Sequence, residues 1–280
     1  MEMSRLNLKS MEMKKINANE KQKIKQIWDD AYAEKNESDR ELIWNRLNQI
    51  LWNKMQGSVD SMGIILEAGC GMSVLMNNFT EKANAVGIDI SSIALKKARK
   101  IFKSPILIQG DINQLPFRDE SFDLVYNIGV IEHFLNPNLP LREMRRVTKL
   151  SGTIIVAVPN KYNLWTLGRV FVNFLHGLHL LHPWKYGYEK SYSKSELQKL
   201  LTSLGFEKTH VSGCGTFEGV YITAYFSFRR LAVIVKLLYP LLDNETSSLR
   251  GKILNRFAEA AEKLDMFGIL IVARSIRREV

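Results

Sequence analysis

A glycine pair and three carboxylates carry the most chemistry in this sequence. The stretch Ile64–Leu75 reads IILEAGCGMSVL: an apolar run ends at Glu67, a turn containing Gly69 and Gly71 follows, and a helical segment begins. Only a residue without Cβ lets a backbone approach a ligand closely, and it also tolerates positive φ. The next apolar run, Asn84–Ile88, ends at Asp89, 18 residues beyond Gly71. A carboxylate in that place can accept both hydroxyls of a ribose, and Ile90 beside it offers an apolar face for a base. Asp111 and Ile112 follow a third run, Pro105–Ile108, where the carboxylate can accept from an exocyclic amine. The pattern suits a nucleoside ligand. Glu67 narrows it: a carboxylate just before the turn repels pyrophosphate and attracts a ligand with a cationic amine. The dinucleotide fingerprint Gly-x-Gly-x-x-Gly/Ala is matched at Gly69 and Gly71 but meets Val74 at its third glycine, which disfavours a nicotinamide oxidoreductase.

The elements that must position these residues alternate. GIILE (63–67), NAVGI (84–88), PILI (105–108), FDLVYN (122–127) and TIIVAV (153–158) are short apolar runs rich in β-branched residues. Helical stretches over 92–102 and 139–148 separate some of them. Such strands suit a parallel sheet covered on both faces, and strand–helix alternation predicts a doubly wound α/β fold. Further on, Ser193 is a plausible N-cap for a helix over 194–204, and Gly205 fits the position just past it. Strands follow at 206–211 and 268–273, giving seven. Residues 18–56 read as two helices broken at Asn36–Asp39, and 217–264 read as largely helical.

The run Glu67-Ala68-Gly69-Cys70-Gly71-Met72-Ser73 resembles the acidic-x-Gly-x-Gly-x-Gly motif of class I S-adenosylmethionine (SAM)-dependent methyltransferases, with Ser73 in place of the last glycine. Gly110-Asp111-Ile112 followed by Leu115-Pro116-Phe117, Ser121–Val125 (SFDLV) and Ile131-Glu132-His133 are similar to further motifs of that family. The resemblance covers about 63–160, Tyr192–Phe206 and the last strand. It is strongest for the subgroup acting on small molecules and lipid-like quinone precursors. It implies a Rossmann-like, mostly parallel seven-stranded sheet with an N-terminal helical lid and helical cap insertions. It implies SAM as cofactor, with contacts from Glu67, Gly69, Cys70, Gly71, Asp89, Ile90, Asp111, Ile112, Asn127 and Ile128. The last two would line the methionine portion and the methyl group. Asp89, read as an exposed loop carboxylate, should be replaceable without unfolding the chain.

The expected reaction is methyl transfer to an oxygen or carbon of a small, partly apolar acceptor. No Asn/Asp-Pro-Pro-aromatic tetrad, a frequent mark of amino-group methylation, is present; Asn127-Ile128-Gly129-Val130 stands in its place. An RNA or protein methyltransferase and a catalytically inactive SAM-binding module are the alternatives. His133 is either a general base toward a hydroxyl substrate or a residue that fixes its loop by hydrogen bonding. Glu132-His133 matches part of a metal-binding Glu-x-x-Glu-His pattern, but Gly129 occupies the first position, so no catalytic metal is expected.

The acceptor pocket is expected from segments outside the sheet. Residues 1–56, the first 17 frayed, contain Trp28, Asp30 and Tyr32 in a helical segment that resembles the lid folding over SAM in related enzymes. Residues 57–280 form the methyltransferase domain, with cap segments 160–192 and 217–264. Tyr162, Trp165, Trp184 and Tyr188 are candidate lining residues, and large apolar groups in a cap suit a bulky acceptor.

Composition bounds the rest. Hydrophobic residues at 46% and charged residues at 24% suffice for a packed core. The net charge of +10 is spread along the chain with a mild C-terminal bias, whereas a phosphate-tracking surface would concentrate it; nucleic acid is not the expected partner. Two cysteines are too few for a disulfide framework, which points to a reducing, cytoplasmic setting. Neither an apolar leader nor a membrane-spanning run is visible: Leu231–Leu242 is interrupted by Lys236 and Pro240, and is about 12 residues against the ~20 required. A peripheral contact of the apolar C-terminal helices with a membrane surface stays open.

Overall fold

The computed structural model describes residues 21–33, 38–55, 63–72, 75–79, 84–101, 105–163, 166, 170, 188–215 and 270–277. Seven strands form one sheet: β1 (Ile64–Ala68), β2 (Asn84–Asp89), β3 (Ile106–Gln109), β4 (Phe122–Ile128), β5 (Thr148–Pro159), β6 (Phe206–Cys214) and β7 (Leu270–Arg277). Their spatial order is β3-β2-β1-β4-β5-β7-β6. The first five pair in parallel, and β7 runs antiparallel between β5 and β6. This is the expected doubly wound, mostly parallel sheet. Order reverses at β1, from which one half runs outward to β3 and the other to β6, so the carboxyl ends of β1, β2 and β4 flank the crevice where such sheets take ligands.

The helices are α1 (residues 21–33), α2 (Ser38–Met55), α3 (Ser92–Ile101), α4 (Asn138–Val147) and α5 (Lys194–Ser203). Alternation along the strands sends side chains to two cores. Leu66, Val125, Ile154, Val156 and Ile271 face Leu141, Met144 and Val147 of α4 and Leu197 and Leu201 of α5. Ile65, Leu124, Tyr126, Ile155 and Val272 face Leu47, Leu51 and Met55 of α2, with Phe79 beneath Trp52. Burial on both faces explains why these strands read as continuous apolar runs.

Local signals account for the boundaries. Ser193 caps α5 in a reciprocal capping box: its Oγ accepts from Glu196 N, and the Glu196 carboxylate accepts from Ser193 N. Gly205 follows at φ +79°. The β5 pairing begins five residues before the expected Thr153, because Thr148 also pairs with Phe122 ahead of a register shift. The helical break expected at Asn36–Asp39 falls largely on residues outside the described set; α2 already begins at Ser38.

Candidate active site

The site lies along the carboxyl edge of the sheet. The turn after β1 is held by Gly69 N and Cys70 N donating to Ile88 O at 2.8 and 3.0 Å, so the end of β2 shapes the glycine loop. Gly69 has φ +82°, and a Cβ there would lie 2.5 Å from Val130 Cγ2. Gly71 has φ +49°, and a Cβ there would collide with the Tyr32 hydroxyl. Both glycines are thus required by conformation and by close approach.

Asp89 is buried, not exposed as the sequence suggested. Its Oδ2 accepts from Gly71 N at 2.8 Å and its Oδ1 from Ser91 N at 2.7 Å, tying β2 to the glycine turn. Burial raises its carboxyl above the ordinary range, partly offset by these donors. The side chain is therefore part of the loop's structure, and its removal must cost stability. Ser91 is the cap of α3, its Oγ accepting from Ala94 N at 3.1 Å.

Glu67 is buried as well. The β1–β4 register sets it beside Tyr126, whose hydroxyl donates to Glu67 Oε2 at 3.1 Å. Full burial pushes its carboxyl up to about 8, against the lowering effect of the Tyr126 hydrogen bond and with a further rise from nearby Asp89. The Tyr126 hydroxyl is pushed well above its ordinary value by the same burial and by the adjoining acid.

Asp111, after β3, accepts from Asn113 N at 2.9 Å and pairs with Lys21 of α1 at 3.1 Å. Ile112 is buried in the core, while Ile90 and Ile128 are half-buried at the edge. Cys70 is buried, and its sulfur fills the space a Cβ on Gly87 would need. Asn127 is fully buried and turned toward backbone: its Nδ2 donates to Ala68 O, and its Oδ1 accepts from Ile131 N at 3.3 Å. That clamp joins β4 to β1.

His133 lies in a short 3-10 turn (Ile131–His133), its Nδ1 2.9 Å from Tyr188 O and its ring edge-on to Trp28 with centroids 4.9 Å apart. Tyr188 and Tyr162 are exposed. Trp165 and Trp184 lie outside the described residues, as do most of 160–192 and all of 217–264. Trp28 and Tyr32 both reach the site edge, 6.3 Å apart between ring centroids. The acid that faces inward from α1 is Asp29, not Asp30. Asp29 is buried against Ser91, whereas Asp30 is exposed and accepts from Gln26. Asp29 shares a helical face with Tyr32 three positions on and Lys25 four positions back, a signal present in the sequence.

Comparison with known proteins matches this geometry. Residues 66–156 match the family described as "Methyltransferase domain". An uncharacterized protein of Methanocaldococcus jannaschii is 38% identical over 128 residues, covering 44% of this chain and 52% of that protein. A probable S-adenosylmethionine-dependent methyltransferase of Mycobacterium tuberculosis is 28% identical over 182 residues, covering 65% and 61%. The chain thus spans between half and two thirds of the length of these curated relatives. Among solved structures, a SAM-dependent methyltransferase of Thermotoga maritima shares the fold with a TM-score of 0.55 at 18% identity, covering 85% of this chain and 92% of that one. The chain therefore matches a methyltransferase domain over residues 66–156, is similar to a probable S-adenosylmethionine-dependent methyltransferase, and shares its fold with a solved SAM-dependent methyltransferase.

Proposed function

We propose that this protein transfers a methyl group from SAM to an oxygen or carbon of a small, partly apolar acceptor. One observation carries the reading: Glu67, Asp89 and Asp111 end three adjacent strands on one edge, around a glycine turn that no Cβ could occupy. Three acidic acceptors in a row call for a ligand rich in donors. SAM offers an ammonium to Glu67, ribose hydroxyls to Asp89 and the adenine amine to Asp111. Gly69 and Gly71 let the ligand approach the backbone, and Ile90, Ile112 and Ile128 supply the apolar surroundings. Cys70 and Asn127 support the turn from beneath.

SAM supplies an activated methyl on a sulfonium. The protein must align a nucleophile with the methyl–sulfur bond, exclude water and take a proton where the acceptor has one. His133 is placed for that last task. In the tautomer whose Nδ1 proton is donated to Tyr188 O, Nε2 would be the nitrogen that takes the acceptor's proton. In this reading Trp28, Tyr32, Tyr162 and Tyr188, with Trp165 and Trp184 of the proposed cap, would line the acceptor's pocket. The lid and cap boundaries at 1–56, 160–192 and 217–264 are part of this reading. Among the described residues no helix is long and apolar enough to cross a membrane.

Isothermal titration with SAM and S-adenosylhomocysteine, with NADH as control, tests the cofactor. Micromolar binding of either sulfur ligand and none of NADH is expected. NADH binding without a response to either sulfur ligand would overturn it.

A further inference from the structure

Helix α1 lies across the carboxyl edge with one face toward the sheet. Lys21 reaches Asp111 after β3, Asp29 reaches Ser91 after β2, Tyr32 covers Gly71 after β1, and Trp28 meets His133 after β4. These four strands are consecutive in the sheet.

One of these contacts differs from the rest. Asp29 Oδ1 accepts from Ser91 Oγ at 2.6 Å and from Ile93 N at 3.3 Å, and Lys25 pairs with its other oxygen. Ser91 in turn donates its N–H to Asp89 Oδ1, and Asp89 Oδ2 accepts from Gly71 N. A continuous hydrogen-bonded path therefore leaves α1 at Asp29, passes through Ser91 and Asp89, and ends at Gly71. There the Tyr32 hydroxyl of the same helix, one turn on, lies in the space a Cβ on Gly71 would need.

We propose that Asp29 is a positioning residue for cofactor binding: acting through Ser91, it orients the Asp89 carboxylate and pins α1 over the glycine turn. This rests on the methyltransferase reading above. Asp29 touches no cofactor atom in this scheme. It fixes the Ser91 hydroxyl, and the fixed backbone N–H at Ser91 holds Asp89 in one rotamer for the ribose. The acceptor at the start of α3 thus comes from a segment more than 60 residues away in sequence, making cofactor affinity depend on docking of the N-terminal helix.

The test is titration of the full chain with S-adenosylhomocysteine for wild type, Asp29→Ala, Asp29→Asn, Ser91→Ala and the Asp29→Ala/Ser91→Ala double variant. Hydrogen exchange of residues 21–33 is followed in each. Asp29→Ala should weaken binding about ten-fold and speed exchange over 21–33. Asn, which keeps the acceptor oxygen, should restore most of the affinity. The double variant should bind no worse than the weaker single one, since both act on one path. An unchanged dissociation constant in Asp29→Ala, no rescue by Asn, or losses that add in the double variant would overturn the positioning role while leaving the methyltransferase reading intact. A wild-type chain that binds neither S-adenosylhomocysteine nor SAM removes that reading, and the positioning role with it.

Discussion

The acids of the amino edge and two of the carboxyl edge, Glu67 and Asp89, are held in opposite ways, although Asp111 on the carboxyl edge also meets a cation, Lys21. On the amino edge every acid named here meets a cation. Arg146 forks onto Glu143 at 2.8 Å, reaches Asp119 at 2.7 Å and donates to Phe117 O and Leu115 O. Lys149 holds both oxygens of Asp123, which also accepts from Ile64 N at the start of β1. Arg277 joins β7 to Glu120, Arg146 O and Thr148 O. On the carboxyl edge, Glu67 and Asp89 are buried deeper yet are held only by a hydroxyl and backbone N–H groups. The amino edge lowers the carboxyls of Asp123 and Glu143 below their ordinary range, whereas the carboxyl edge raises those of Glu67 and Asp89. Matched charges stabilise a fold and do little else. Acids kept short of cations are ready for a donor that arrives from outside.

Changes at the carboxyl edge should therefore alter ligand binding, and changes at the amino edge should alter stability alone. The largest effect is expected at Gly69→Val. Positive φ costs a β-branched residue about 1–3 kcal/mol, and the clash with Val130 adds to it. Binding of S-adenosylhomocysteine should be lost and the melting temperature should fall by ten degrees or more, to order of magnitude. Retention of both would mean that the turn tolerates a side chain.

Glu67 sharpens the contrast through pH. Its folded value of about 8 lies above its ordinary 4.5, so the native chain holds a proton that the unfolded chain releases. Its contribution to stability is fully present below pH 4.5 and is lost as pH rises through 8. Denaturant titrations across that window should show a downward slope of up to about 1.4 kcal/mol per pH unit, absent in Glu67→Gln. A cationic ligand that needs the ionised acid should also release a proton on binding near pH 7, read from titrations in buffers of different ionisation enthalpy. Equal slopes in wild type and Glu67→Gln would remove the assignment.

Asp89→Ala comes next. It strips the acceptor from two backbone donors, each charge-assisted bond contributing about 1.5–3 kcal/mol. Cofactor affinity should fall on the order of 100-fold, together with a measurable loss of stability. A fall in stability with unchanged affinity would make Asp89 a loop residue only.

These residues were unequally legible in the sequence. The strands, the glycine turn and the start of α5 were readable because each depends on local pattern: apolar runs of strand length, glycines at a strand end, and Ser193 at a cap position. Asp89 was found for its spacing, but its burial was not, since burial comes from Gly71 and α1, which fold over it. Asp29 was passed over for Asp30 because adjacent acids differ only in helical phase, and the phase was decided by Ser91, 62 residues away. Tyr126 drew no notice in the sequence, since only the β1–β4 register brings its hydroxyl to Glu67. The amino-edge clasps escaped for the same reason: Arg146 and Arg277 meet partners that lie far from them in sequence.

Arg146→Ala should lower stability by about 2 kcal/mol, since it leaves two backbone carbonyls without their donor and Glu143 with only the Leu115 N–H. Thermal melting should register this while S-adenosylhomocysteine binds as before. The smallest effect is expected one contact further out. Asp119 meets Arg146 at 2.7 Å, the same length as the best bonds of the cofactor edge, but its side chain is 71% exposed. An exposed pair of this kind contributes about 0–1 kcal/mol, because water competes for both partners. Arg146 would keep Glu143 and both carbonyls without it. Asp119→Ala should therefore shift stability by no more than about 0.5 kcal/mol, and the shift should shrink further in 1 M salt, where charges are screened beyond about 3 Å. A loss as large as that of Arg146→Ala would mean that Asp119 orients the guanidinium for its other partners, and that the amino edge, like the carboxyl edge, works as a connected path and not as separate pairs.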